Sequence, residues 1–245
     1  MVAPQVDAAQ LLAAARGERD AQRRRTLALL DRLKNANDTG LLLEPWRADM
    51  LEHFAGELGF GYLRMAFLPH DWVNLPVIAF CARGLLELRV WAAYCTGSPE
   101  NARRFYDDKF RDGAEFYDAL ARLVAPYSDA PGVIDQIEQA KAKLAALAAG
   151  VGSEPSGAVY TRVADAAEAV GLGDDFRIVN KLLSKIAHPS AMIALNYLTP
   201  DYAGSLDGIA VFAKFLGHTE EAEAWRVIGD FLDATLRTWA AAAEG

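Results

Sequence analysis

Alanine is the residue type that most constrains the fold of this chain, because it supplies 46 of the 245 residues, against 19 glycines and 10 prolines. Alanine has the highest intrinsic helix propensity, and here it falls in long runs together with leucine and arginine. No segment alternates apolar and polar residues over more than a few positions, as a half-buried strand would. The sequence therefore predicts an all-α protein, a helical bundle of roughly eight to ten helices.

Caps, glycines and prolines predict where these helices begin and end. We interpret the chain as a single helical domain over residues 1–245, with residues 1–60 as a peripheral helical N-terminal segment and residues 150–160 as a surface loop. The helices are predicted at about 7–36, 45–58, 76–95, 98–124, 131–150, 162–170, 175–188, 190–198, 206–216 and 219–243.

Charge and cysteine usage narrow the class of protein. The net charge of −8 disfavours broad, sequence-independent binding to DNA phosphates. Cys81 and Cys95 would lie about 21 Å apart on one helix, too far to form a disulfide with each other. The N-terminus does not resemble a signal peptide, and the apolar stretch 77–95 carries three charged residues, which disfavours a membrane span. We therefore expect a cytoplasmic protein with no membrane partner.

Several common site motifs are missing from the sequence. There is no Gly-x-Gly-x-x-Gly after a strand, no P-loop, no Gly-x-Ser-x-Gly and no pair of Cys-x-x-Cys motifs. The four histidines are scattered, and no two of them have the spacing of metal ligands on a helix. The sequence predicts neither a metal site nor a cofactor.

The apolar helix 77–95 carries a charged pair that needs an explanation. Arg83 and Glu87 are four residues apart and fall on one narrow stripe with Val90 and Tyr94. The other faces are apolar, so we expect the helix to be buried nearly all round and the pair to be an interior ion pair. Two interpretations stay open: the pair fixes helix register, or Glu87 holds an arginine that binds the anion of a ligand.

A second polar stripe is formed by Arg177, Lys181, Ser184 and His188, which lie within about 60° of one another on a helix. We expect Arg177 and Lys181 to lie on a solvated face of the helix. His188 stands at a helix end interrupted by Pro189 and could exchange a proton near neutral pH. The helix before it, residues 162–170, also resembles the opening of a DNA-binding helix-turn-helix.

The two motifs together are similar to those of a group of uncharacterised bacterial helical proteins. That group carries an Arg-x-x-x-Glu helix and a Ser-x-x-x-His-Pro-Ser helix, matched here by Arg83 to Glu87 and by Ser184 to Ser190. The resemblance covers roughly residues 70–200 and extends loosely to the HEPN superfamily. Many HEPN proteins are metal-independent ribonucleases, whose signature places an arginine four to six residues before a histidine. On the present stripe the preceding basic residues are Lys181 and Arg177.

The resemblance implies a nucleotide- or RNA-binding protein with metal-independent ribonuclease activity. In this hypothesis His188 and Arg83 are the catalytic residues. His188 acts as acid or base, and Arg83 binds the anion of the substrate. The binding and orienting residues are Glu87, Ser184, Lys181 and Arg177. The implied partner is RNA or another phosphate-bearing ligand.

Two hypotheses from other classes stay beside the ribonuclease. The first is a non-catalytic interaction module, with a protein partner or a second copy of the chain, in which these residues are structural. The second is a DNA-binding regulator that uses residues 161–188. The ribonuclease hypothesis predicts that the two motif helices pack together, with Ser184 or His188 within hydrogen-bonding distance of Arg83 or Glu87.

Overall fold

A computed structural model describes residues 7–38, 54, 56, 75–127, 130–153, 161–187 and 203–243. Within these ranges every regular element is an α-helix, which confirms the all-α prediction. The seven helices are α1 Ala8–Asp38, α2 Leu75–Gly97, α3 Pro99–Val124, α4 Ala130–Gly150, α5 Val163–Ala169, α6 Gly173–Ala187 and α7 Ala203–Ala243. The predicted helix 190–198 and nearly all of the predicted helix 45–58 lie outside the described residues.

Local capping fixes two of the helix starts where the sequence predicts them. The Asp7 carboxylate accepts hydrogen bonds from the backbone N–H groups of Ala9, at 2.9 Å, and Gln10. The Ser98 hydroxyl accepts one from the N–H of Asn101 at 3.1 Å, and Pro99 occupies the first turn of α3. These side chains satisfy N–H groups that have no partner inside the helix.

The last helix differs from the prediction of two helices with a break near Gly217. Helix α7 runs unbroken from Ala203 to Ala243. The Thr219 hydroxyl, which we expected to cap a new helix, instead donates to the carbonyl of Phe215 at 2.9 Å, inside the helix. Gly217 and His218 are both buried, so packing against other helices keeps this segment helical despite its weak propensity.

The chain divides into two compact units. The first draws on residues 1–97 and 163–245. In it, α2 packs against α5, α6 and α7, and α1 packs along α7. Its core contains Ile78, Leu86, Val90, Leu183, Trp225, Ile228 and Leu232. The interpretation of residues 1–245 as a single domain stays a prediction.

Helices α1 and α7 approach each other closely at Gly229. A Cβ atom placed on Gly229 would lie 2.6 Å from the Thr26 hydroxyl oxygen. The same hydroxyl is buried and donates to the carbonyl of Trp225 at 2.7 Å. A glycine is therefore required on α7 where Thr26 of α1 reaches its backbone.

The second unit, residues 98–162, is built on the pair α3 and α4. Arg103 of α3 donates to the carbonyls of Val151 and Gly152 at 3.0 and 2.9 Å, and so holds the end of α4. Gly152 has a φ of 64°, a left-handed conformation that ends the helix and that glycine adopts without strain.

Two further predictions concern the cysteines and the membrane. Cys81 and Cys95 are both buried and form no disulfide with each other, as predicted. Burial raises the pKa of the Cys95 thiol far above its usual value. None of the helices in the described ranges is long and apolar enough to cross a bilayer.

Candidate functional site

Arg83 and Glu87 form an ion pair on α2, with 3.0 Å between the Nε and Oε1 atoms. The pair is not interior, because the two side chains are 31% and 33% exposed. The expectation that α2 is buried all round is therefore wrong for one face. Its apolar residues Val77 and Phe80 are exposed as well, because the packed helices cover only part of the circumference of α2.

The second motif helix, α6, packs against α2, which confirms that the two motif helices are neighbours. Ser184 is half-buried on α6. His188 lies outside the described residues. The hydrogen bond that we expect to link the two motifs therefore stays a prediction.

The cations of α6 face solvent, as a solvated stripe would. Arg177 is 65% exposed and contacts Asp174 at 2.6 Å and Glu168 at 3.4 Å. Lys181 is exposed one turn further along. Asp174 and Glu168 therefore partly neutralise the charge of Arg177. Exposure of both cations is also what the hypothesis of a DNA-binding regulator requires, and that hypothesis stays a prediction.

A buried polar cluster between α1 and α7 was missed by the sequence analysis. His218 of α7 is fully buried. Its ring nitrogens contact the Nε atom of Arg16 at 3.3 Å and the Nη1 atom of Arg19 at 2.9 Å. Arg19 is itself buried and forms an ion pair with Asp20 at 2.8 Å, and Lys214 is buried one turn before His218. These contacts join the first helix of the chain to the last.

The surroundings of His218 hold its imidazole neutral. Burial lowers its pKa to about 3, and the charges of Arg19, Arg16 and Lys214 act in the same direction. A neutral imidazole has one acceptor nitrogen, whereas arginine is only a donor. Only one of the two arginines can therefore donate a hydrogen bond to the ring at any moment.

Glu221 lies one turn beyond His218 and is also fully buried. Its Oε1 atom accepts a hydrogen bond from the indole N–H of Trp225 at 3.4 Å, and its Oε2 atom is a buried oxygen without a hydrogen bond in the described structure. Burial raises the pKa of Glu221 to about 7, although the charge of Arg19 acts to lower it. The neighbouring Glu220 forms an ion pair with Arg89 of α2 at 2.6 Å, yet burial still raises its pKa.

A signal for this cluster was present in the sequence. Lys214, His218, Glu221 and Trp225 follow one another at spacings of four, three and four, which places them on one helical face. The predicted break at Gly217 divided that face between two helices. Within the described ranges, no group of three or more His, Cys, Asp and Glu side chains is arranged to hold a metal ion.

The comparisons with known proteins identify a family. Its sequence profile matches residues 78–205, a range that contains α6, nearly all of α2 and the whole second unit. No curated protein and no solved structure matches the chain. Because the match covers more than half of the 245 residues, the chain belongs to DUF5677, a family of unknown function.

Proposed function

We propose that this chain is a cytoplasmic, HEPN-like RNA-binding protein that takes an RNA phosphate at the Arg83–Glu87 pair and cleaves the strand without a metal. The observation that carries the proposal is the exposure of this pair, on a helix that packs against the second motif helix. Because the pair is about one-third exposed, its guanidinium can be reached by a ligand from solvent. That Cys81 and Cys95 form no disulfide agrees with a reducing compartment.

The geometry of the pair suits phosphate recognition. Glu87 accepts the Nε–H of Arg83 and so orients the planar guanidinium from one edge. The Nη edge of the same group has the fork of donors that binds phosphate oxygens in a bidentate manner. Because the pair is only partly exposed, an incoming phosphate would displace little water and would feel a stronger field than on an open surface.

His188 would supply the proton transfer in this proposal. As a base it would take the proton of a ribose 2′-hydroxyl, whose oxygen attacks the adjacent phosphorus. The bond from phosphorus to the 5′ oxygen then breaks, and that oxygen takes up a proton. The products are a strand ending in a 2′,3′-cyclic phosphate and a strand ending in a 5′-hydroxyl. Arg83 would stabilise the charge that develops on the phosphate oxygens, and Ser184 would hold the imidazole ring.

The test combines binding and cleavage of a labelled single-stranded RNA in the presence of EDTA. We expect Arg83→Gln to weaken binding, and His188→Ala to abolish cleavage while RNA is still bound. Arg226→Gln is the matched control, because Arg226 is an exposed arginine on α7 that contacts Glu223 at 2.7 Å, as Arg83 contacts Glu87. Equal RNA binding by the Arg83 and Arg226 variants would refute the proposed phosphate site. Full cleavage by the His188 variant would refute its catalytic role.

A second candidate function is the interaction module, which a different observation favours. Ile178 and Leu182 lie one turn apart on α6, and both are substantially exposed. Exposed apolar side chains at helical spacing are typical of a protein interface. If a second copy of the chain covers them, changing both to glutamine should convert a dimer to a monomer in sedimentation velocity. A wild-type chain that sediments as a monomer would contradict self-association.

A further inference from the structure

The exposed face of α2 contains more than the ion pair. Phe80 is 61% exposed one turn before Arg83, and Gly84 lies between them and Glu87 on the same side of the helix. At about 100° per residue, Phe80, Arg83, Gly84 and Glu87 fall within about 100° of one another around the axis. An aromatic ring, a cation and an open stretch of helix backbone are therefore neighbours on one surface.

Gly84 has no packing reason to be glycine. Among the residues that the structure describes, a Cβ atom at this position would meet no atom within 4 Å outside the adjoining helix backbone, and the φ of Gly84 is not positive. Glycine inside a helix lowers stability relative to alanine, because it loses more conformational freedom on folding. Because residues three and four apart on a helix are neighbours, the missing side chain at Gly84 would leave a shallow notch next to Phe80. A flat ligand group would fit there better than a bulky one.

We propose that Phe80 and Gly84 form a stacking platform for an unpaired base, whose phosphate is taken by Arg83, so that the ligand is single-stranded RNA. This inference rests on the proposed function and adds a substrate class to it. A base can stack on a side chain only when it has left a duplex. Aromatic rings bind bases of any sequence through their π faces, and a neighbouring arginine supplies the phosphate contact. The platform thus selects single strands over duplexes without selecting a sequence.

Fluorescence anisotropy with a labelled 12-mer single strand and with a duplex of the same length tests the platform. We expect Phe80→Ala to weaken single-strand binding by about fivefold to a hundredfold, whereas Phe80→Trp retains it. Phe116→Ala is the matched control, because Phe116 is 62% exposed on α3 of the second unit. The Phe116→Ala variant should bind the single strand like the wild type. The duplex should bind more weakly than the single strand, and Phe80→Ala should leave duplex binding unchanged.

Gly84→Ala gives a second test, in which stability and binding move in opposite directions. The variant should melt at a higher temperature than the wild type, since alanine favours the helix and meets no neighbouring atom. It should nevertheless bind the single strand more weakly, because the methyl group fills the notch. Because the variant is expected to be more stable, unfolding could not explain such a loss. Unchanged binding would overturn the role of the notch.

The outcomes separate this inference from the proposed function. If Arg83→Gln loses RNA binding but Phe80→Ala does not, the platform is wrong and the phosphate site stands. If the wild-type chain binds neither probe, the proposed function fails and the platform fails with it. If Phe80→Ala leaves RNA binding intact but changes the sedimentation coefficient, Phe80 is a protein contact instead. Equal affinity of the wild type for duplex and single strand would also overturn the platform.

Discussion

The ion pair on α2 and the polar cluster between α1 and α7 place charged groups in opposite environments. Arg83 and Glu87 are about one-third exposed and belong to one helix, so they meet whenever that helix forms. His218 and Glu221 are fully buried, and the contacts of His218 with Arg16 and Arg19 exist only when the first and last helices have packed together. The first region can be reached from solvent, whereas the second specifies how α1 and α7 meet.

The largest expected effect lies in the buried cluster. Trp225→Ala should lower the free energy of unfolding by about 3–5 kcal/mol, because it leaves a cavity in the core and removes the indole N–H from Glu221. Urea unfolding measures the change. Trp91→Ala on α2 is the control and should lose less, since Trp91 is only partly buried. Similar losses for the two variants would mean that the cluster is not the more sensitive region.

The second prediction concerns pH, because His218 and Glu221 shift in opposite directions. His218 has a pKa near 6.5 in an unfolded chain and about 3 when folded, so its contribution to stability is present above pH 6.5 and is lost as the pH falls. Glu221 has a pKa near 4.5 unfolded and about 7 folded, so its contribution is present below pH 4.5 and is lost as the pH rises to 7. Between pH 4.5 and 6.5 the two changes nearly cancel.

In the Glu221→Gln variant, the pH dependence of stability that is due to His218 should no longer be cancelled by that of Glu221. Relative to the wild type, the variant should lose about 2–3 kcal/mol of stability as the pH is lowered from 6.5 to 4.5. Glu220, whose pKa is also raised, is present in both proteins. The difference between their curves of unfolding free energy against pH is therefore due to Glu221 alone. Parallel curves from urea unfolding at several pH values would show that Glu221 does not take up a proton on folding.

The third prediction tests the close approach of α1 and α7. Gly229→Ala should destabilise the chain by about 1–3 kcal/mol, because the new methyl group would meet the Thr26 hydroxyl at 2.6 Å. Gly208→Ala on the same helix is the matched control. Outside the adjoining helix backbone, no atom of the described residues lies within 4 Å of a Cβ there, so that change should stabilise by about 0.5–1 kcal/mol. A shift of the same sign in both variants would refute the tight contact.

The smallest effect is expected for the exposed pair. An interior pair would lose about 3–5 kcal/mol on Glu87→Ala, but at the observed exposure the loss should be below about 1 kcal/mol. Thermal melting of this variant, of an Arg83 variant and of the double variant gives the coupling energy directly. A coupling energy of several kcal/mol would show that the pair contributes substantially to the stability of the fold, and would weaken the ligand-binding interpretation.

Features that depend on interactions between residues close in the sequence could be predicted, whereas features that depend on packing between distant helices could not. The starts at Asp7 and Ser98 depend on side chains within three residues, and both were predicted. The spacing of Arg83 and Glu87 likewise sufficed to predict their ion pair. The exposure of that pair could not be predicted, because it depends on which sides of α2 the other helices cover. The continuity of α7 through Gly217 depends on packing that outweighs local propensity.

The division of the chain has a consequence for the order in which it folds. The second unit uses one continuous stretch, residues 98–162, whereas the first unit needs residues on both sides of that stretch. Helix α1 leaves the ribosome long before α7, the helix along which it packs. The apolar faces of α1 and of much of α2 therefore stay uncovered until α7 has been synthesised. During this interval a nascent chain exposes surface that favours aggregation and the binding of chaperones.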